Sequence, residues 1–326
     1  DATVSGDALV FGGSVSSRAI DAVKARDMAL TMRHGGFESS NENGAVRYER
    51  AGSPLSCLKE YSHTECSISN STPAATRLNI AFDMLPELGA DFVYEGWLIV
   101  EGAPVSAGRF DAAGDVAFEF IEDYTDATAY ILTIEPRVGD DPAPSSTHLV
   151  GGEITNGMAT LTVDFGGALG TDFGAAAGAF ILAAPSAGDP AMYDKGIWFL
   201  DPSGPAPSLD LPTLPDGWVY EGWVATDSGP VSTGRFTSTD MADSDGGGPA
   251  AGPNATPPFP GQDFINPALS LPGNMAVISV EPEPDDSPAP FAIKPLLGMI
   301  EDAGMGVPQM LDRNGEALPM GQLVLR

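Results

Sequence analysis

The run Val93-Tyr94-Glu95-Gly96-Trp97, followed by Pro104-Val105-Ser106-Ala107-Gly108-Arg109-Phe110, returns without a gap as Val219-Tyr220-Glu221-Gly222-Trp223 and Pro230-Val231-Ser232-Thr233-Gly234-Arg235-Phe236. Of the eighteen positions from 93 to 110, eleven are identical in 219 to 236. The match extends upstream, where Leu85-Pro86-Glu87-Leu88 corresponds to Leu211-Pro212-Thr213-Leu214. It extends downstream, where Ile134-Glu135-Pro136 corresponds to Val280-Glu281-Pro282. A chain that carries one stretch twice folds as two like units. The spacing between the copies widens downstream, which places an insertion rich in Gly and Pro at about residues 240–262 of the second copy.

Each copy reads as strand, turn, strand. Tyr-Glu-Gly-Trp with its apolar sequel has the aromatic and β-branched content of a half-buried pleated surface. Glu101-Gly102-Ala103-Pro104 and Asp227-Ser228-Gly229-Pro230 supply turn chemistry. Tyr94, Trp97 and Phe110, with Tyr220, Trp223 and Phe236, read as core anchors of the repeat. Glu95 with Arg109, and Glu221 with Arg235, read as opposite-charge cross-strand pairs that register each hairpin.

These landmarks resemble the C-terminal, extracytoplasmic domain of anti-sigma-K factors. The carrying residues are Tyr94-Glu95-Gly96-Trp97-Leu98-Ile99, Pro104 to Phe110 and Leu132-Thr133-Ile134-Glu135-Pro136, with the similar set Tyr220 to Trp223, Pro230 to Phe236 and Ile278-Ser279-Val280-Glu281-Pro282. The resemblance covers roughly 76–165 and 205–300. It implies a small β-sandwich on the outer side of a membrane. It does not imply control of a sigma factor, since neither a helical sigma-binding domain nor a membrane-spanning helix has a counterpart in this sequence.

The remaining sequence extends the same reading. Residues 1–75 match neither copy and read as an N-terminal extension with strands at Asp7–Phe11 and Ala45–Arg50 and a helix or two strands over Ala19–Met32. This extension either pads the first sandwich or adds a strand to the sheet edge of a neighbouring copy. Residues 76–165 form the first repeat and 166–326 the second. Short strands at intervals of about ten residues, parted by Gly and Pro, predict an all-β chain of two tandem antiparallel sandwiches.

Charge narrows the partners. At 326 residues the chain carries 45 acidic side chains against 15 Lys and Arg, a formal net charge of −30. Nucleic acid and anionic membrane surfaces are excluded as partners, because both are bound through Lys and Arg. Three explanations of the acidity stand side by side: a salty environment, bound divalent cations, or solubility of an exported chain. No apolar run reaches 18 residues, so no direct membrane insertion is expected. The start at Asp1-Ala2-Thr3-Val4, without Met, fits a removed signal peptide and an extracellular, cell-surface or periplasmic location. Cys57 and Cys66 are the only cysteines, and in an exported chain they would close one small disulfide loop.

Candidate ligand sites are few. Asp243 and Asp245, with Gly246, match part of a calcium loop, but Met241 and Gly252 occupy two positions that should be ligands. No other cofactor is indicated. Asn70-Ser71-Thr72 and Asn254-Ala255-Thr256 are acceptor sequons. Pro249–Pro260 has the composition of a disordered segment unless a surface such as a neighbouring copy covers it. No nucleophile elbow, no catalytic Cys and no phosphate loop is present, so no catalytic residue is named. The paired carboxylates Asp140-Asp141 and Asp285-Asp286 recur in both copies and read as a shared turn feature. The expectation is a non-enzymatic structural or interaction protein of the cell exterior that joins copies of itself or other envelope proteins. Alternatives are a binding module for an extracellular glycan or envelope protein, favoured by exposed aromatics around Trp198, Trp218 and Trp223; a hydrolase in which His148 meets carboxylates in a deep cleft; and a soluble sensor related to anti-sigma factors.

Overall fold

The computed structural model describes, with side chains, residues 76–285, 287–315 and 318–326, and before them the backbone of six strands. The chain divides into two compact units, Asp1–Thr76 with Glu119–Asp123, and Arg77–Phe118 with Tyr124–Arg326. In the N-terminal unit, β1 (Ala2–Ser5) and β2 (Ala8–Phe11) pair antiparallel. A four-stranded antiparallel sheet follows in chain order: β3 (Phe37–Glu42), β4 (Ala45–Arg50), β5 (Ser53–Glu60) and β6 (His63–Ser67). Its register sets Cys57 directly opposite Cys66. Asn70 and the segment Ala19–Met32 lie outside the described residues.

The larger unit begins with β7 (Arg77–Asp83), β8 (Phe92–Val100), β9 (Ala103–Phe110), β10 (Asp115–Glu119), β11 (Ala129–Pro136), β12 (His148–Glu153) and β13 (Met158–Thr162). It continues with β14 (Ala177–Leu182), β15 (Gly196–Trp198), the short β16 (Leu200–Asp201), β17 (Ala206–Pro207) and β18 (Leu209–Asp210), then β19 (Trp218–Thr226), β20 (Gly229–Phe236) and β21 (Gly261–Asp263). Last come β22 (Met275–Pro282), β23 (Leu296–Met299), β24 (Gln309–Arg313) and β25 (Met320–Leu325). Period-two patterning decides which face is buried. In β7, Leu78, Ile80 and Phe82 point inward between exposed Arg77, Asn79, Ala81 and Asp83.

Two antiparallel sheets result, each curled into a barrel-like sandwich. The first runs β9-β8-β11-β12-β13-β25-β7-β10 and the second β20-β19-β22-β23-β24-β14-β15-β21, with β18 attached to β14. The two orders correspond strand for strand, so the internal repeat is a repeat of topology. The cores are filled by Tyr94, Trp97, Leu98, Tyr130 and Leu132 in the first sheet and by Trp198, Tyr220, Trp223, Val224 and Ile278 in the second, all buried.

The first hairpin turns on Glu101 (φ 50°) and Gly102 (φ 80°), the positive-φ pair that matches strand twist. In both copies the returning strand bulges. Gly96 pairs with Gly108 but Trp97 with Ser106; Glu221 pairs with Arg235 but Trp223 with Ser232. One residue is thereby inserted, and Gly108 (φ 127°) and Gly234 (φ 106°) take the backbone conformation that the insertion needs. This is why Gly sits inside Pro-Val-Ser-x-Gly-Arg-Phe, which reads in sequence as a plain strand.

The sequence boundary at residue 166 assigns everything after it to the second repeat. In the structure β25 (Met320–Leu325) lies in the first sheet, between β13 and β7. Its inward Leu323 and Leu325 fit that slot as well as they would any other, so hydrophobic pattern alone does not choose between sheets.

Candidate functional site

The best-defined polar feature is a buried network that occurs once in each sandwich. In the first, Trp97 Nε1 donates to Thr133 Oγ1 at 2.9 Å, Thr133 Oγ1 donates to Glu135, and Ser145 N donates to the same carboxylate at 2.9 Å. In the second, Trp223 Nε1 donates to Ser279 Oγ at 2.7 Å, Ser279 donates to Glu281, and Phe291 N donates to Glu281 at 3.0 Å. Thr133 and Glu135, like Ser279 and Glu281, are two apart on one strand and so share a face. All four are buried. Burial raises the pKa of Glu135 and pushes that of Glu281 up to about 7.

Beside each network lies the charged pair of the hairpin. Glu95 and Arg109 are direct cross-strand partners with Nε to Oε2 at 3.5 Å. Glu221 and Arg235 stand in the same relation, also at 3.5 Å. Ser106 donates to Glu95, and Ser232 donates to Glu221 at 2.5 Å. Residues three apart on a regular strand face opposite ways. The bulge reverses one of them, so Ser106 and Arg109 both reach Glu95. Each arginine then extends across to the carbonyl at the end of the next strand but one, Pro136 of β11 or Pro282 of β22. Burial raises the Glu221 pKa against the opposing effect of Ser232 and Arg235. Tyr94 and Tyr220 complete the parallel by donating to Pro86 O at 2.7 Å and Pro212 O at 2.6 Å. Phe110 is half-buried against Phe82, Tyr94 and Phe118, and Phe236 packs on Tyr220 with ring centroids 5.7 Å apart.

Glu95 and Glu221 tie β8 to β9 and β19 to β20, and the indole bonds to Thr133 and Ser279 tie β8 to β11 and β19 to β22. Sequence reasoning named Glu95 and Glu221 but not the Ser106, Thr133, Ser232 and Ser279 hydroxyls. Their signal was present, since a hydroxyl recurs at each matched position.

The second feature is the seam between the two repeats. On one side it is closed: Trp218 Nε1 donates to His148 O at 3.2 Å and Thr147 Oγ1 to Gly217 O at 3.3 Å. On the matching side it opens into a cleft of about 500 Å³, walled by Pro86, Leu88 and Phe92 of the first repeat and by Pro288, Pro290 and Phe291 of the second, with Glu87 and Asp285 on its rim. His148 is half-buried, and its Nδ1 lies 2.8 Å from Gly167 O. The ring contact of His148 is thus to a backbone carbonyl rather than to a carboxylate. Trp198, Trp218 and Trp223 are 0%, 2% and 4% exposed. They are core residues, and the expected exposed aromatic platform does not form around them.

The insertion at 240–262 folds onto its own sandwich. In the first sheet Phe118 closes the gap between the edge strands β9 and β10 by lying against Gly108. In the second, Asp243 takes that place: it lies against Gly234 of β20 and accepts from Gly261 N of β21 at 2.9 Å. Burial pushes its pKa up to about 7, with Asp245 adding to the effect. The Gly- and Pro-rich run is pinned through Ser186, whose carbonyl accepts from Asn254 N at 3.1 Å and whose Oγ accepts from Gly252 N at 2.8 Å. Ser186 donates in turn to buried Asp263, which also accepts from Trp198 Nε1 at 2.8 Å. The contacts that hold this run come from within its own chain. Among the described residues no group of three or more His, Cys, Asp or Glu is placed to hold a metal ion. Asn254 is exposed.

The strand and network pattern of the first sandwich has a known counterpart. Residues 69–148 match the family described as "anti-sigma-K factor rskA, C-terminal". The match ends at the start of β12, so the anti-sigma-K-like assignment rests on the first repeat. The second repeat lies outside the matched residues and shares the strand order and the network of the first. No curated protein and no solved structure matches the chain. No helix among the described residues is long and apolar enough to cross a membrane as a helix.

Proposed function

We propose that this chain is a non-catalytic interaction module of the cell exterior, built by doubling an anti-sigma-K-like C-terminal domain. The observation that carries this reading is the duplicated Trp, hydroxyl and Glu network, one copy of which lies in the segment that matches the anti-sigma-K family. It supports two like sandwiches whose shared polar chemistry is internal, so that recognition falls to their surfaces. Two surfaces are available for it. The N-terminal sheet offers the edge strands β3 and β6 for strand addition to other copies or envelope proteins. The cleft at the open side of the seam offers prolines and two phenyl rings under an acidic rim, which suits an extended peptide or glycan segment of an envelope partner.

The test of location replaces exposed Ser228 by Cys in a Cys57→Ser, Cys66→Ser background. Intact cells of the source are then treated with a membrane-impermeant maleimide. Labelling before lysis supports the exterior reading, and labelling only after lysis sinks it. Light scattering of the full chain and of one lacking residues 1–75 tests association through the N-terminal unit: equal masses at every concentration would remove that unit from the assembly reading.

A further inference from the structure

The chain exchanges strands between its two repeats. β14 follows β13 of the first repeat but lies in the second sheet, beside β24. β25 follows β24 of the second repeat but lies in the first sheet, beside β13. The two strands are equivalent in sequence and register. Gly178-Ala179-Phe180-Ile181-Leu182 corresponds to Gly321-Gln322-Leu323-Val324-Leu325. Gly178 pairs with Leu311 and Gly321 with Leu161; on the other side Leu182 pairs with Ile197 and Leu325 with Leu78. In both places glycine leaves room for a large apolar side chain: a Cβ on Gly178 would fall nearest Leu209 and one on Gly321 nearest Phe82. The crossings touch, since Arg313 at the end of β24 donates to Gly174 O, just before β14.

Each repeat therefore passes its last strand forward to the next repeat along the chain. β14 obeys this by entering the second sheet. β25 instead enters the first sheet and so closes the cycle. The first sheet of another copy presents an identical slot between β7 and β13. We propose that β25 is an exchangeable donor strand: placed in the first sheet of a second copy, it links copies head to tail. The contacts made by β25 are the same in the closed chain and in the linked one, so the balance rests on chain connectivity and on concentration. A heterologous link of this kind propagates unless it closes into a ring. Covalent connection favours self-closure up to an effective concentration on the order of millimolar. Because β25 is an interior strand with Leu323 and Leu325 buried, exchange occurs while chains fold together rather than after closure.

Thr160 and Gln322 are exposed direct partners across β13 and β25, their side chains 3.3 Å apart. In a Cys57→Ser, Cys66→Ser background, one full-length chain carries Thr160→Cys and another Gln322→Cys. The two are unfolded together, refolded at about millimolar concentration, oxidised and resolved without reductant. The expected result is a disulfide-linked heterodimer that is absent when the mixture is refolded dilute. It is also absent when Ser228→Cys replaces Gln322→Cys. A heterodimer no more abundant than with Ser228→Cys overturns the proposal. A single chain carrying both Thr160→Cys and Gln322→Cys reports folding by closing an internal disulfide in dilute solution, and failure to close it also overturns the proposal, because β25 would not then lie beside β13. Chains lacking residues 1–75 retain β25 and its slot, so the outcome is separable from association through the N-terminal unit.

Discussion

Asp243 shows how one residue can replace another of different chemistry. Phe118 closes the first sandwich as an apolar wedge, whereas Asp243 closes the second as a buried carboxyl. With a pKa pushed from 3.8 up to about 7, the folded chain keeps this proton over a range in which the unfolded chain has lost it. The associated stability is complete below the unfolded value and lost as pH rises through about 7. Asp243→Asn holds the neutral state at every pH. Denaturant titrations at pH 5 and pH 8 should show wild type losing stability relative to Asp243→Asn by an amount on the order of 2 kcal/mol; an unchanged difference would refute the assignment. The hydroxyls are a second test at this scale. Thr133→Val and Ser279→Ala each leave a buried indole N–H without its acceptor and take one of the donors from a buried glutamate, at an expected cost of about 1–3 kcal/mol by the same measurement. Equal losses at the two sites would show that the networks do the same work in both repeats.

At the scale of the element, the bulge and the crossing strand carry most of the meaning. The bulge turns Ser106 and Arg109 onto one face, and so lets Glu95 keep a hydroxyl and a guanidinium together. The crossing strand makes the first sheet depend on the last residues of the chain. Leu323→Ala removes a side chain that is 1% exposed and should cost about 2–5 kcal/mol. Hydrogen exchange would locate the effect: amides of β7 and β13 should lose protection although they are far from residue 323 in sequence. In the N-terminal sheet, Cys57 and Cys66 face each other across β5 and β6. Opposed residues of an antiparallel pair have Cα atoms about 4.5–5.5 Å apart, within the disulfide range. Chain isolated from an oxidising compartment should leave both sulfurs unreactive to alkylation until reductant is added; prompt alkylation without reductant would count against the bond.

For the whole molecule, reciprocal strand exchange and net charge set the behaviour. Each sandwich contains a strand covalently continuous with the other, so the repeats should open together. Amides of β8 and β11 should exchange with the same opening free energy as those of β19 and β22, and independent opening would contradict the exchange. A net charge of −30 works against any compact state through self-repulsion, which salt screens over about 10 Å at 0.1 M and about 3 Å at 1 M. The thermal midpoint should therefore rise by several degrees between low salt and molar salt. A flat response would mean that the acidic groups are too dispersed to repel.

Much of this was legible from residues 93–110 and 219–236 alone. Alternation, aromatic content and turn residues are local constraints, and they determined that the chain makes strands, that it makes the same hairpin twice, and that the Glu-Pro strand follows. The acidic surface was equally plain in composition. The role of Asp243 was not legible, because a half-matched calcium loop and a buried seam residue look alike until Gly234 and Gly261 are brought to it from distant positions. Nor was the burial of Trp198, Trp218 and Trp223, since pattern does not say which aromatic faces water. The placement of β25 was least legible of all. Its sequence is compatible with either sheet, because β14 and β25 answer to the same pattern of glycine and alternating apolar residues. Only the three-dimensional course of the chain, with both crossings meeting at Arg313 and Gly174, decided that each repeat is completed by the other.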